Sequence, residues 1–260
     1  MNDAFFHRDG DRLVPTVATR GPWDLRFQHG GPPTALLTAA LLAQAGERFR
    51  LARVTADFLR PVPIAPLRVE VERPAVGRSV QRATATLHAD RPVLRLQALF
   101  IRDRPGAETP PEALALSAEP WPAPESCAPF VFPFFAWDEG YHRGVDMRLA
   151  GGAWGRTPAR FWAQPTLPLV AGEPTAPEAQ VVLLADAESG MGPPLDPDTH
   201  TFANPDLTVL FTRRPAAGWL GFDLRAAAGG AGAGVAAAGI RDERGPFGVS
   251  AQTLVMAARS

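Results

Sequence analysis

An aspartate in an apolar stretch is the first residue of this sequence whose surroundings favour chemistry. Asp186 lies in VVLLADAESG, where Val182 and Leu183 precede it by four and three residues. On a helix this spacing sets the carboxylate beside an apolar face, where it is partly desolvated. A partly desolvated carboxylate holds a proton more strongly and is a better base. We predict a catalytic role for Asp186. The alternative is that it faces solvent near the helix end, as we expect for Glu188.

A glutamine in a strand-like apolar run is the second candidate. Gln252 lies in VSAQTLV, and alternation places it on the same strand face as Ser250 and Leu254. A glutamine among apolar neighbours must form hydrogen bonds or it destabilises the fold. Its amide can donate to a water or to a carbonyl oxygen while its own carbonyl accepts. The alternative is an amide that only stabilises the sheet.

A glycine turn leads into an apolar helix at HGGPPTALLTAALL. Pro32 suits the first turn of this helix, and Gly46 is a suitable stop. The unpaired N–H groups of a helix N-terminus favour a developing oxyanion, and glycines leave room for a carbonyl group to approach them. We therefore expect His29, Gly30 and Gly31 to contact the substrate. The alternative is a plain structural turn.

Composition excludes several classes of protein. The 260 residues have a formal net charge of −1, without the basic stripe of a nucleic-acid binder. The single cysteine, Cys127, rules out a disulfide framework and a cysteine metal site, and no paired-histidine signature is present. No apolar run reaches the ~18 residues of a membrane span, and the first residues do not resemble a signal peptide. We expect a cytoplasmic protein that needs no metal.

A proline-rich stretch divides the chain into two parts of similar size. Residues 104–135 can form neither a long helix nor a central strand, which is typical of a linker. We predict an N-terminal domain over residues 1–103, a linker over 104–135 and a C-terminal domain over 136–260.

The two parts repeat one pattern, an apolar helix followed by four strand-like segments. The interval from Pro61 to Gln97 is 36 positions, and that from Pro215 to Gln252 is 37. Such agreement predicts a duplicated unit, a helix and a four-stranded antiparallel meander. We expect Gln97 and Gln252 to occupy similar settings in their halves.

A long apolar helix wrapped by an antiparallel sheet is the hotdog arrangement, and the sequence resembles the double-hotdog, TesB-like acyl-CoA thioesterases. The matching stretches are QHGGPPTALL, DFLRPVP, GRSVQRATATLHADRPVLRLQALF, LLADAESG, NPDLTVLFTRRP and RDERGPFGVSAQTLV. The resemblance implies an α+β fold in which two antiparallel sheets, each wrapping a long helix, join side by side. It also implies a thioester hydrolase whose substrate carries coenzyme A, with no other cofactor. A homodimer is expected, because hotdog sheets commonly pair.

The resemblance implies a catalytic set of an aspartate on the second helix, a hydroxyl residue on the next strand and a glutamine on the last strand. Asp186 and Gln252 match this set, but Asn204 stands at the hydroxyl position. An asparagine can still hydrogen-bond a water. Thr208 follows on the same strand face, ~13 Å further at ~3.3 Å per residue. It is therefore a candidate for substrate binding and not an obvious replacement for the hydroxyl.

Two alternatives to a thioesterase remain. Hotdog enoyl-CoA hydratases use an aspartate and a histidine five residues apart before the helix, as Asp24 and His29 are here. Those enzymes typically have Asn-Pro between the two, which this sequence lacks. The other alternative is a non-catalytic acyl-CoA-binding double hotdog. In each case, the acyl cavity would depend on side chains such as Trp162 and those of residues 130–135.

Overall fold

Antiparallel strands are the main regular element of this computed structural model, which describes residues 3–104 and 119–259. Six strands belong to the first half: β1 (Phe6–Asp9), β2 (Arg12–Pro15), β3 (Phe49–Phe58), β4 (Arg68–Val76), β5 (Val80–His88) and β6 (Pro92–Arg102). Eight belong to the second half: β7 (Ala128–Phe130), β8 (Val145–Gly151), β9 (Ala159–Pro165), β10 (His200–Ala203), β11 (Asp206–Phe211), β12 (Leu220–Ala228), β13 (Ala233–Asp242) and β14 (Gly245–Ala258). The α-helices are α1 (Gly31–Leu42), α2 (Pro177–Ala185) and α3 (Glu188–Met191).

The two halves have the same strand connectivity. One half runs β4-β5-β6-β3 across the sheet, and the other runs β12-β13-β14-β11. In each set of four strands, the last strand in the chain (β6 or β14) pairs with the first (β3 or β11). Strands β3 and β11 pair with each other and join the halves into one continuous sheet, with Val54 opposite Val209. The predicted α+β double hotdog is confirmed, with this seam as the side-by-side junction.

Helix α1 fills the first half of the molecule. Nine of its 12 residues are buried, and it packs against α2 and against strands β4, β5 and β6. Such a helix is apolar on all sides because it has no solvated face. A Cβ atom on Gly31 would overlap the backbone carbonyl oxygen of Leu183, so the glycine allows α1 and α2 to approach closely.

The two glutamines of the repeat lie in different settings, contrary to the sequence expectation. Gln252 is 2% exposed and faces the helices, whereas Gln97 is exposed on the opposite face of the sheet. Their strand registers explain the difference: Gln97 lies opposite Thr55, but on β14 it is Ala251, not Gln252, that lies opposite Thr208. Since side chains alternate between faces, one residue of offset moves a side chain to the other face.

The end of the predicted linker is ordered against the second half. Among the described residues, strand β7 pairs with β8 alone, at the edge of the sheet, where prolines are tolerated. Upstream of it, Trp121 packs edge-on against Trp162, whose indole Nε1 donates to the carbonyl oxygen of Pro122. Residues 105–118 of the predicted linker lie outside the described residues, and the domain boundaries stay a prediction.

Candidate active site

A cavity of about 560 Å³ lies between the two halves. Its walls are largely apolar, and its lining residues come from both sides of the sequence midpoint. The aromatic lining residues are Trp23, Phe27, Phe58, Phe132, Phe134, Phe135 and Phe202. The polar lining residues include Asp24, His29, Arg60, Asp186, Ser189 and Asn204, of which His29, Asp186 and Asn204 are in contact. Trp162, expected from the sequence to shape this cavity, does not line it.

Asp186 lies at a break between two helices. The predicted single helix is divided, because α2 ends at Ala185 and α3 begins at Glu188. Only 4% of Asp186 is exposed, and Oδ1 of its carboxylate accepts a hydrogen bond of 2.7 Å from Nδ2 of Asn204. The structure thus brings together two of the three predicted catalytic residues.

Asn204 occupies the turn between β10 and β11, not a strand as its pattern implied. Its Nδ2 also lies 3.3 Å from the backbone carbonyl oxygen of Asp206, and its side chain is half-buried at the cavity. Because Nδ2 carries two hydrogens, it can donate to Asp186 and Asp206 together. An amide at the hydroxyl position therefore holds the Asp186 carboxylate directly.

His29 is the second partner of Asp186. The ring Nδ1 lies 2.9 Å from Oδ2 of Asp186 and 3.1 Å from the backbone nitrogen of Gly31. This single ring atom can either donate to the carboxylate or accept from the Gly31 N–H, and a ring N–H facing an ionised carboxylate is the favourable choice. Tyr141 holds the imidazole in place by stacking on it, with ring centroids 3.8 Å apart and planes 6° apart.

The glycine turn makes room for a protein carboxylate. A Cβ atom on Gly30 would lie 2.8 Å from both carboxylate oxygens of Asp186, so the carboxylate rests against the start of α1. The N-terminal end of a helix favours a negative charge there. Of the three residues expected to contact substrate here, His29 and Gly30 line the cavity, but Gly31 does not. Gly31 serves helix packing instead.

Gln252 lies behind the cavity and does not line it. Its Nε2 donates a hydrogen bond of 3.2 Å to the backbone carbonyl oxygen of Ala185. Ala185 is the residue before Asp186. On the same strand face, Ser250 donates to Oε1 of Glu188. Glu188 is 0% exposed, so the expectation that it faces solvent is wrong. Burial raises the pKa of Glu188 to about 8, although hydrogen bonds from Ser250 and Gln252 oppose that rise.

Two other sequence candidates lie elsewhere. The hydroxyl of Thr208 contacts that of Thr55 at 3.2 Å on the outer face of the seam, away from the cavity lining. Asp24 does line the cavity, but it binds Arg26 and not His29. Hydrogen bonds from the Arg26 side chain and backbone lower the pKa of Asp24 to about 2. The Asp24/His29 pair required of a hydratase is not formed.

Two family models match the chain. One describes an acyl-CoA thioesterase N-terminal domain and matches residues 19–101, and the other describes the C-terminal domain and matches residues 124–256. The chain belongs to the acyl-CoA thioesterase family. As a member it is a thioester hydrolase, which confirms the enzyme class predicted from the sequence. No curated protein matches it.

Solved structures similar to this thioesterase share its fold at low sequence identity. A conserved hot dog fold protein from Alicyclobacillus acidocaldarius has a TM-score of 0.73 and 18% identity, covering 100% of this chain and 98% of the other. An acyl-CoA thioesterase II from Mycobacterium marinum has a TM-score of 0.68 and 16% identity, covering 92% and 95%. The tesB protein of Mycobacterium avium subs paratuberculosis has a TM-score of 0.67 and 18% identity, and the match covers 97% of this chain and 95% of the other.

The described residues of the thioesterase form neither a metal-binding cluster nor a membrane-spanning helix. Within residues 3–104 and 119–259, no group of three or more His, Cys, Asp or Glu side chains could hold a metal ion. Over the same residues, no helix is both long and apolar enough to span a bilayer.

Asn204 and His29 were predicted site residues, but other features around Asp186 were not predicted from the sequence. The role of Tyr141 and the burial of Glu188 were not foreseen, and the His29 contact with Asp186 joins the two halves. The sequence did hold one signal of a buried polar partner such as Glu188, namely that Ser250 and Gln252 both lie on the core-facing side of one strand. Two polar side chains directed into a core require a buried polar partner.

Proposed function

We propose that this thioesterase hydrolyses acyl-CoA through a water activated at Asp186. The contact between Asp186 and Asn204 is the observation that carries the proposal, because it holds a nearly buried carboxylate at the polar end of an apolar cavity. A general base must lie within hydrogen-bond reach of the water that it deprotonates. Asp186 has that access, since it lines the cavity.

In the proposed reaction, the water oxygen forms a bond to the thioester carbonyl carbon while a water proton passes to Asp186. The carbonyl oxygen gains negative charge, which the positive end of the α1 dipole can stabilise, because Gly30 at that end lines the cavity. The carbon–sulfur bond then breaks, and the proton held by Asp186 passes to the departing sulfur. The products are the free acid and the thiol of coenzyme A, so neither a metal nor a redox cofactor is needed.

Each surrounding residue has a distinct part in this proposal. Asn204 fixes one carboxylate oxygen, and His29 lies against the other. The sequence predicted that Gln252 contacts the water. We assign it a structural role instead, because its amide binds the Ala185 carbonyl oxygen behind the cavity. Thr208 has no part in the proposal.

The cavity walls support an apolar acyl group. Trp23, Phe134 and Phe202 form one contiguous aromatic wall, with ring centroids 5.2 to 6.3 Å apart. Phe132, only 4% exposed, packs behind Phe134. Apolar walls with a few polar groups at one end are typical of a small-molecule site. The homodimer and the cytoplasmic location expected from the sequence stay predictions.

The test is hydrolysis of a panel of acyl-CoA esters by purified protein, followed as release of free thiol. Asp186→Asn should lower kcat by about 10²–10⁴-fold, the range typical of a lost general base. The matched control is Asp24→Asn, which removes the other cavity carboxylate and should leave kcat within a few-fold of the parent. Unchanged hydrolysis in Asp186→Asn would exclude the mechanism. Hydration of an enoyl-CoA that depends on Asp24 would favour the hydratase.

A further inference from the structure

A buried polar cluster lies directly behind the candidate active site. It consists of Glu188, Ser250 and Gln252, which are 0%, 3% and 2% exposed. None of the three lines the cavity. A buried carboxyl group with polar partners needs an explanation, because isolating one from water costs free energy.

Hydrogen bonds within the cluster hold the chain on both sides of Asp186. Gln252 binds the carbonyl oxygen of Ala185, one residue before Asp186, and Ser250 binds the side chain of Glu188, two residues after it. Both contacts come from one face of β14, a strand in the middle of the sheet. The break between α2 and α3 is therefore fastened to a rigid element at two points.

Two oxygens of this cluster have no hydrogen-bond partner, namely Oε2 of Glu188 and Oε1 of Gln252. The side chain of Gln252 also interacts with the Glu188 carboxyl group, in the sense that lowers its pKa. The amide orientation of Gln252 is set by Ala185, because only Nε2 can donate to that carbonyl oxygen. An ionised Glu188 would leave Oε2 as a charged oxygen in the core without a partner, which costs free energy. A neutral Glu188 removes that charge and supplies an O–H donor to a cluster that has unpaired acceptors.

We propose that Glu188, in its neutral form, is a positioning residue that holds the Asp186 carboxylate at the cavity through Gln252 and Ser250. The inference rests on the proposed role of Asp186. A neutral carboxyl still accepts from Ser250, whereas an ionised one places a charged oxygen without a partner in the core. An ionised Glu188 would also place a second negative charge close to Asp186.

The surroundings of Glu188 favour the neutral form. Burial is the main cause that raises its pKa to about 8, and the nearby charge of Asp186 adds to it. Strands β12 and β13 also pack against α3. Their core-facing side chains there, Leu224, Ala236 and Ala238, are uncharged. Asp186 is therefore the charged group facing Glu188, and the cluster should change state as the pH rises through about 8.

The test compares kcat and KM from pH 6 to pH 10 for the parent protein, Glu188→Gln and Glu188→Leu. Glutamine stays neutral, can donate to Gln252 and can accept from Ser250. Glu188→Gln should therefore keep kcat within about three-fold at pH 7 and should lose the decline that the parent shows above about pH 8. Glu188→Leu should lower kcat at least ten-fold at every pH, with KM changed by less than three-fold.

Two results would overturn the proposal: the same alkaline decline in Glu188→Gln, or a parental kcat in Glu188→Leu. Melting temperatures show whether each variant is folded. Should the variants fail to fold, the parent alone decides through its infrared spectrum, which should show the carbonyl stretch of a protonated carboxyl at pH 7 that disappears above pH 9. The absence of that band in folded protein would also overturn the proposal. This spectrum needs no turnover, so its outcome is separate from whether Asp186 is the base.

Discussion

The Nδ1 atom of His29 lies 2.9 Å from Oδ2 of Asp186, although the two residues come from different halves of the chain. His29 precedes α1 and Asp186 follows α2, so packing of the two helices places one side chain against the other. The candidate site exists only because the halves meet, and neither half holds both residues.

Asn204→Ala should reduce kcat by roughly 10–100-fold, because it removes a hydrogen bond to a buried carboxylate, a loss of about 1–3 kcal/mol. Asn204→Thr should keep more of the activity, since its hydroxyl restores a donor at this position. The measurement is kcat for thiol release, and the control is Thr208→Val, whose lost hydroxyl faces Thr55 on the outer side of the sheet. A parental kcat in Asn204→Ala would mean that Asp186 does not depend on this bond.

Substitution of the two adjacent glycines by alanine should have different effects. A Cβ at position 30 would press on the Asp186 carboxylate and on the ring of Phe58, so Gly30→Ala should lower kcat more than it lowers stability. A Cβ at position 31 would press on a backbone carbonyl that cannot move aside. Gly31→Ala should therefore destabilise the fold by about 1–3 kcal/mol, the usual cost of overpacking.

Kinetics and thermal unfolding of both glycine variants would separate the two effects. A change of 1 kcal/mol corresponds to about 2–4 °C in Tm for a chain of this size. Equal losses of Tm in the two variants, with equal kcat, would contradict the assignment of one glycine to the site and the other to packing.

Phe134→Ala should shift the preference of the enzyme toward bulkier acyl groups. Phe134 lies in the aromatic wall between Trp23 and Phe202, and its removal enlarges a cavity of about 560 Å³. The measurement is kcat/KM across acyl-CoA esters of increasing chain length. Trp162→Phe is the control, because Trp162 lies outside this cavity. An unchanged order of substrates in Phe134→Ala would show that the acyl group binds elsewhere.

Glu188→Gln should change how stability depends on pH. The folded pKa of Glu188 is about 8 against an ordinary value of 4.5, so between these values the folded protein binds more protons than the unfolded chain. The free energy of unfolding of the parent therefore falls as pH rises through this window, and the glutamine variant lacks this contribution. From pH 5 to pH 8 the variant should gain about 3–4 kcal/mol relative to the parent, at about 1.4 kcal/mol per pH unit.

Urea unfolding of both proteins at several pH values measures this difference. Glu243→Gln, a change at the surface, controls for the loss of one negative charge. If the free energy of unfolding changed with pH in the same way for the parent and Glu188→Gln, Glu188 would have its ordinary pKa in the folded protein, and the prediction would be wrong.

The fold could be predicted because its pattern is local and is repeated. Each helix and strand of the repeated unit has its own hydrophobic periodicity. Because the pattern occurs twice, the assignment of elements in one half supports the assignment in the other. Asp186 could be found for a similar reason, since its apolar neighbours are close in sequence. Asn204 followed from its distance to a recognisable strand.

The surroundings of Asp186 could not be predicted, because they depend on contacts between distant segments. Tyr141 reaches His29 only through the packing of a turn against the start of α1. Glu188 was expected to face solvent, but the break after Asp186 redirects it into the core. Gln97 and Gln252 differ by one position of register, and a register is fixed by the assembled sheet and not by a single strand.

The ladder between β3 and β11 has a genetic consequence. Two identical chains that paired in this way would carry every mutation twice, once at each helix end. In this chain the copies are separate stretches of one gene, so a mutation in α1 does not change the amino-acid sequence of α2. The acid of Asp186 has no counterpart within α1, where the described residues Gly31–Leu42 carry no charged side chain. Fusion of the two units lets one become specialised for reaction while the other is refined as its support.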